Sequence, residues 1–355
     1  MTLEELIHPD DATALKALKN IPALPKVMEM VFQYGYDEIS WSENVTTNIR
    51  LSETQMPEIY NRLPPICKRL GIPVPELYLQ MTPIANAWTS GHKRVFIVLT
   101  FGLIKRVKGE ELDAILAHEC GHILCQHVLY QTLANAVFNL SDSLLDSMIG
   151  KIGNVAIKPM RQALITWCRA SELSADRVAC IITSAELLTK SLARLSIPRY
   201  IVDGMDLNAW VQQGKDYEAL KKGTIWNKIV RWMANQDVDH PYLPVRAYES
   251  FEWEKTQTCI QMKSCSSCLN LCRERRETPP VATKKQNKVG TFTKEIKEQI
   301  IPSVAENIKD KVGTFTKEAK EQMLPSVTEN IKETVSAFTK DGKIGSVFYK
   351  FNIKK

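Results

Sequence analysis

The sequence predicts an α+β, helix-rich domain whose small sheet sits next to a histidine-bearing helix, with a C-terminal amphipathic helical repeat tail behind it. Three observations predict it. Apolar residues three and four apart dominate residues 1 to about 255. Two short apolar runs, PVPELYLQM and KRVFIVLTF, stand just before the stretch AHECGHILCQH. A 23-residue unit recurs near the C-terminus, starting at Val289, Val312 and Val335.

Taken in order, LKALKNIPALPKVMEMVF and MPEIYNRLPPICKRLGI have helical spacing interrupted by prolines, which end or kink a helix. The two apolar runs read as strands, with the turn-rich NAWTSGHK between them. A helix follows from Gly109 or Glu110, with acidic residues in its first turn, where the helix dipole favours them. VLYQTLANAVFNLSDSLL is broken by Gln131, Asn135, Asn139, Ser141 and Asp142, so it reads as an amphipathic or buried helix. No run approaches the ~18 apolar residues of a membrane span. Further helices are expected over Trp167–Ile182 and Trp226–Ala234. Residues 256–279 form a cysteine-rich segment closed by RERRETPP, and 280–355 hold the repeats.

Hydrophobic content of 44% and charged content of 24% are those of a soluble globular chain. The first residues, MTLEELIHPDD, lack the basic and apolar regions of a signal peptide. Nine cysteines, an odd number scattered in apolar context, suggest a reducing compartment. A cytoplasmic location is therefore expected. The net charge of +6 sits in the tail, where 15 lysines face nine acidic residues from Pro280 onward. A body of no net charge argues against nucleic acid as a partner. The tail's Phe292, Ile296, Ile300, Val304 and Ile308 make an apolar stripe, interrupted once per repeat by Pro302 and Pro325. Such repeats resemble lipid-surface helices of the apolipoprotein kind, so peripheral membrane contact is one expectation for them and a flexible, partly helical arm the other.

The chemistry lies in AHECGHILCQH. His118 and His122, four apart on a helix, share one face and form a two-point claw for a tetrahedral zinc. Glu119 stands to the side of the claw, where it can reach a metal-bound water without ligating the metal. His127, five residues past His122 and nine past His118, falls roughly 140° and 180° off the claw, and Cys120 lies on the far side. Cys125 is nearly two turns from His118. These three read as packing thiols and a surface or capped histidine. A third ligand is needed, and WCRASELSADRVACII offers it. Glu172 and Asp176 again share a face; Glu172 can close the triad, and Asp176 can accept a hydrogen bond from a ligating imidazole. Arg169, a turn before Glu172, could steady it.

The ordered set NAWTSG, strand, helix, HECGH, SELSAD and DHPYLPVR resembles the HtpX-like and CAAX prenyl endopeptidase-like family of gluzincin metallopeptidases, over about Ile66 to Phe251. The resemblance implies a zincin-like fold, a peptide or protein substrate and one catalytic zinc. It makes His118, His122 and Glu172 the ligands and Glu119 the general base. His240 and Arg246 would line the site, one or both stabilising the oxyanion. Asn86 and Ala87 match the segment that runs along the substrate backbone. Many members are membrane-embedded and this chain shows no span, so it resembles the soluble branch; a longer polar insertion, Asn139 to Pro159, also precedes the third ligand. The alternative is a non-catalytic zincin-fold binding protein whose tail binds a lipid surface or protein partner. Glu119 favours the enzyme, because a binding scaffold needs no base beside a metal. Separately, Cys259, Cys265, Cys268 and Cys272 at C-x5-C-x2-C-x3-C can hold a second, structural zinc, with reduced thiols or reversible disulfides as the other reading.

Overall fold

The computed structural model describes residues 2–33, 36–139, 154–220 and 242–265. The chain opens with helices α1 (Leu3–Leu6), α2 (Pro9–Lys19), α3 (Leu24–Gln33) and α4 (Tyr36–Thr47), then strand β1 (Ile49–Leu51). Helices α5 (Pro57–Tyr60) and α6 (Leu63–Leu70) lead to β2 (Glu76–Gln80), β3 (Ala87–Ser90) and β4 (Phe96–Thr100). After them come α7 (Phe101–Arg106), α8 (Glu110–Leu124), α9 (Val128–Asn139) and α10 (Asn154–Ile182). The described elements end with α11 (Ala185–Ser196), α12 (Arg199–Val202), α13 (Leu207–Ala219), α14 (Leu243–Glu254) and α15 (Gln257–Ser264). The helix expected over Trp226–Ala234, the repeats of 280–355, and His240, Cys268 and Cys272 lie outside the described residues.

The body is α+β and helix-rich, with one mixed four-stranded sheet in the order β1-β2-β4-β3. β2 runs parallel to β4, and β1 and β3 are antiparallel to their neighbours. Side chains alternate across it, as the two-residue strand period requires. Leu77, Leu79, Ile97 and Leu99 enter the main core, whereas Tyr78, Phe96 and Val98 form a small cluster with Trp88. The segment NAWTSGHK, expected as a turn, contains β3. Its four strand residues pair with β4 from Ala87↔Leu99 to Ser90↔Phe96, and that pairing overrides a turn-rich composition.

Helix α8 runs through the main core and is buried almost all round, which is why EELDAILAHECGHIL shows no single polar face. It packs against α6, α10, α11 and β3. Fully buried side chains such as Leu116 each contribute about 1.5–3 kcal/mol. Its N-terminal Glu111 is held by Arg194 at 2.7 Å. Helix α10 begins at Asn154 rather than Trp167, because Met160 and Leu164 extend the apolar spacing upstream. With Trp167 they meet α3 and α9 in a second core. At the far end, α15 returns Cys259 and Met262 to the main core.

One contact sets the spacing of the two central helices. A Cβ on Gly121 would stand 2.9 Å from Ala175 Cα and 3.1 Å from Val178 Cβ, so α8 and α10 touch nearly backbone to backbone there. Gly121→Ala is expected to lower stability by about 1–3 kcal/mol through overpacking. It should also weaken metal binding, since the same contact brings His118 and His122 opposite Glu172. Urea unfolding and a zinc titration measure the two effects.

Candidate metal centre

His118 and His122 project from α8 and Glu172 from α10, and all three are at least 94% buried. His118 Nε2 lies 3.2 Å from His122 Nε2 and 3.4 Å from Glu172 Oε2; His122 Nε2 lies 3.3 Å from Glu172 Oε1. Ligand atoms about 2.0–2.1 Å from a tetrahedral zinc stand about 3.3–3.4 Å apart. The triangle therefore has the size of one face of a zinc tetrahedron. Two imidazoles and a carboxylate are also the donor set of a catalytic site that keeps a position open. The residues present fit the ion.

The surroundings hold these donors in place. Asp176 Oδ1 accepts from His118 Nδ1 at 2.9 Å, which leaves Nε2 as the atom that could ligate. Arg246, on α14, spans both carboxylates. Its Nε and Nη2 donate to Asp176 at 2.8 and 2.7 Å, and its Nη1 meets Glu172 Oε2 at 3.0 Å. Arg169 donates to Thr166 Oγ1 at 3.5 Å. Burial favours a neutral His118, but Asp176 and Glu172 outweigh it and push the imidazole up to about 10. Burial dominates at His122 and lowers it to about 4. A proton retained on His118 must leave when a metal enters, so zinc binding is expected to weaken as pH falls.

Glu119 is buried beside the claw, and Thr89 Oγ1 from β3 donates to its Oε2 at 2.6 Å. Burial raises the Glu119 carboxyl above the usual carboxylate range. A cleft of about 630 Å³ opens onto this arrangement, lined by Asn86, Ala87, Glu119, Glu172 and Arg246 among others. Asn86 is anchored by a backbone N–H donated to Thr100 Oγ1 at 2.8 Å. β3 is one of the two edge strands, with β4 its only partner in the described sheet.

His127 overturns one expectation. Of the two alternatives, a surface or a capped histidine, the structure excludes the first: the residue is 2% exposed, its Nδ1 lies 3.0 Å from His122 Nδ1 and its Nε2 lies 2.9 Å from Asp11 Oδ2. His127 does not continue the helix, because α8 ends at Leu124 and Gln126 turns left-handed, with φ 61°. That turn folds His127 back so that its backbone N–H meets His122 O at 2.9 Å. Cys120 is a buried packing thiol, 3.8 Å from Cys67 Sγ.

Sequence reasoning also missed Thr89, Gln131 and Asp11. Thr89 lay in a segment read as a turn, and no motif pointed to Asp11. The two residues placed in the cysteine site that are described sit apart in character, Cys259 buried in the main core and Cys265 half-exposed.

The sequence profile of peptidase family M48 matches residues 53–252. The chain is 28% identical over 260 residues to the plastoglobule-localized metallopeptidase 48, chloroplastic, of Arabidopsis thaliana, covering 71% of this chain and 73% of that protein. It is 34% identical over 109 residues to a protease HtpX homolog of Pelotomaculum thermopropionicum, covering 30% of this chain and 38% of that one. A protease HtpX homolog 2 of Methanosarcina mazei is 25% identical over 203 residues, covering 50% of this chain and 68% of its own length.

Proposed function

The chain belongs to peptidase family M48, and from that premise we propose that it is a zinc-dependent endopeptidase with His118, His122 and Glu172 as its metal ligands. The observation that carries the reading is the triangle of 3.2, 3.3 and 3.4 Å between the three ligand atoms, with Glu119 beside it. Zinc held there supplies a water acidic near neutral pH and a Lewis acid for the scissile carbonyl.

The protein's own residues do the rest. Glu119 takes the proton of the attacking water and later delivers it to the leaving amine. Asp176 keeps His118 in the tautomer that ligates through Nε2. Arg246 sets a fixed positive charge in the cleft wall, which favours the oxyanion as it forms, while its N–H groups hold Glu172 and Asp176. His240 is the other proposed oxyanion partner. The free edge of β3, with Asn86 and Ala87 at its start, takes an extended peptide by main-chain hydrogen bonds. Binding of that kind reads backbone more than side chains.

A fluorogenic casein assay tests the reading. Cleavage is expected, with loss in excess zinc chelator and recovery on zinc addition. Cleavage unaffected by the chelator would sink it. Metal analysis of the same protein counts the ions: one zinc per chain matches the catalytic site alone, and two would add the site on Cys259, Cys265, Cys268 and Cys272.

No described helix is long and apolar enough to cross a membrane. One relative carries plastoglobule localisation in its name, and the lipid-surface contact proposed for residues 280–355 rests on their amphipathic repeats. The full chain is then expected to co-sediment with anionic vesicles more strongly than a chain ending at residue 279. Equal sedimentation would remove the tail from that role.

A further inference from the structure

The zinc reading leaves one buried group without a task. His118 has Asp176 behind its Nδ1, but among the described residues no carboxylate touches His122 Nδ1. Beyond that atom stands His127 Nδ1 at 3.0 Å, and His127 Nε2 lies 2.9 Å from Asp11 Oδ2. Asp11 comes from α2, outside the segment that matches the family. It is 1% exposed, and its second oxygen accepts from Trp167 Nε1 at 3.0 Å while Ser174 Oγ donates to Oδ2 at 2.6 Å. The His127 ring is wedged edge-on between the rings of His122 and Trp167, at centroid distances of 5.2 and 5.7 Å.

The directions of these bonds follow from the ends. An ionised Asp11 is acceptor-only, so His127 Nε2 carries the hydrogen and donates it. That leaves His127 Nδ1 as an acceptor. His122, when it ligates through Nε2, must carry its hydrogen on Nδ1 and needs an acceptor there. The two nitrogens match. Gln131 also reaches His122 Nδ1, with its Nε2 at 2.8 Å, while its Oε1 has no hydrogen-bond partner among the described residues. Donation from His122 Nδ1 requires that amide to be rotated, which presents Oε1 as a second acceptor to the same hydrogen.

We propose that Asp11, acting through His127, is a positioning residue for the metal ligand His122, so that the N-terminal helix α2 is a working part of the metal centre. This rests on His122 being a zinc ligand. Residues 1–52 are then more than packing: they orient one of the three ligands from behind. The backbone ties agree, since Ser174, next but one to Glu172, binds both Asp11 and the His8 N–H at 2.9 Å. One helix, α10, thus carries a ligand toward the metal and grips the helix that supports another.

The test is zinc affinity of the full chain by competition with a chromophoric chelator, alongside thermal unfolding of the metal-free protein. Asp11→Asn and His127→Leu are expected to weaken zinc binding about 10- to 100-fold, the usual cost of losing such support. His127→Asn puts an amide oxygen where Nδ1 was and should recover much of the loss. Leu164→Ala, in the same core but off the hydrogen-bonded chain, should lower the melting temperature and leave zinc affinity unchanged. Wild-type affinity in His127→Leu would overturn the proposal, as would a Leu164→Ala loss equal to that of Asp11→Asn. Failure of the unaltered chain to bind zinc would instead overturn the metallopeptidase reading, and this proposal with it.

Discussion

Glu119→Gln is expected to lower kcat on a peptide substrate by about 10²–10⁴, the range over which a positioned base acts, with zinc still bound at one ion per site. The substitution is nearly isosteric, and the amide oxygen can still accept from Thr89 Oγ1, which stands 2.6 Å from the present carboxylate. The ligand triangle is untouched, because Glu119 is not one of its three corners. What disappears is the proton acceptor. Kinetics and metal content must therefore separate: kcat falls and zinc stays. A variant retaining a tenth or more of wild-type kcat would remove Glu119 from the base role. A variant that lost both zinc and activity would place it in the structure of the site instead.

Much of the centre was legible because it depends on local spacing. His118 and His122 share a face at any point where the helix holds, and so do Glu172 and Asp176 within α10. The end of the helix is where local spacing stops deciding position. His127 departs from the angle its spacing predicts because the helix stops at Leu124, and nothing in CQH announces that Gln126 takes a left-handed φ of 61°. Asp11 was illegible for a different reason. It lies in a short amphipathic helix far up the chain, and only tertiary packing of α2 on α10 brings it to His127. Thr89 sits between, in a strand whose existence depends on pairing with β4 rather than on its own composition. Arg246 entered through the family resemblance alone. Its grip on Glu172 and Asp176 joins three segments of chain and leaves no periodic trace.

That grip gives the largest stability effect expected. Arg246 is 3% exposed and faces two carboxylates, each at least 95% buried. Burial on its own would raise Asp176, yet Arg246 and His118 hold its carboxyl below the ordinary range. Removing the cation leaves two buried acids to share His118. Arg246→Met, which keeps the apolar stem and discards the charge, is expected to cost about 3–5 kcal/mol in urea unfolding of the metal-free protein. Zinc should narrow the deficit, because it places positive charge against Glu172 from the other side. Asp176 gains nothing directly from the metal, so some deficit must remain. Arg246→Lys should fall between, since an ammonium supplies the charge without the planar fork that spans both carboxylates. A metal-free Arg246→Met protein within about 0.5 kcal/mol of wild type, the ordinary range of an uninvolved surface change, would mean that the two acids are neutral in the folded state and that Arg246 holds nothing.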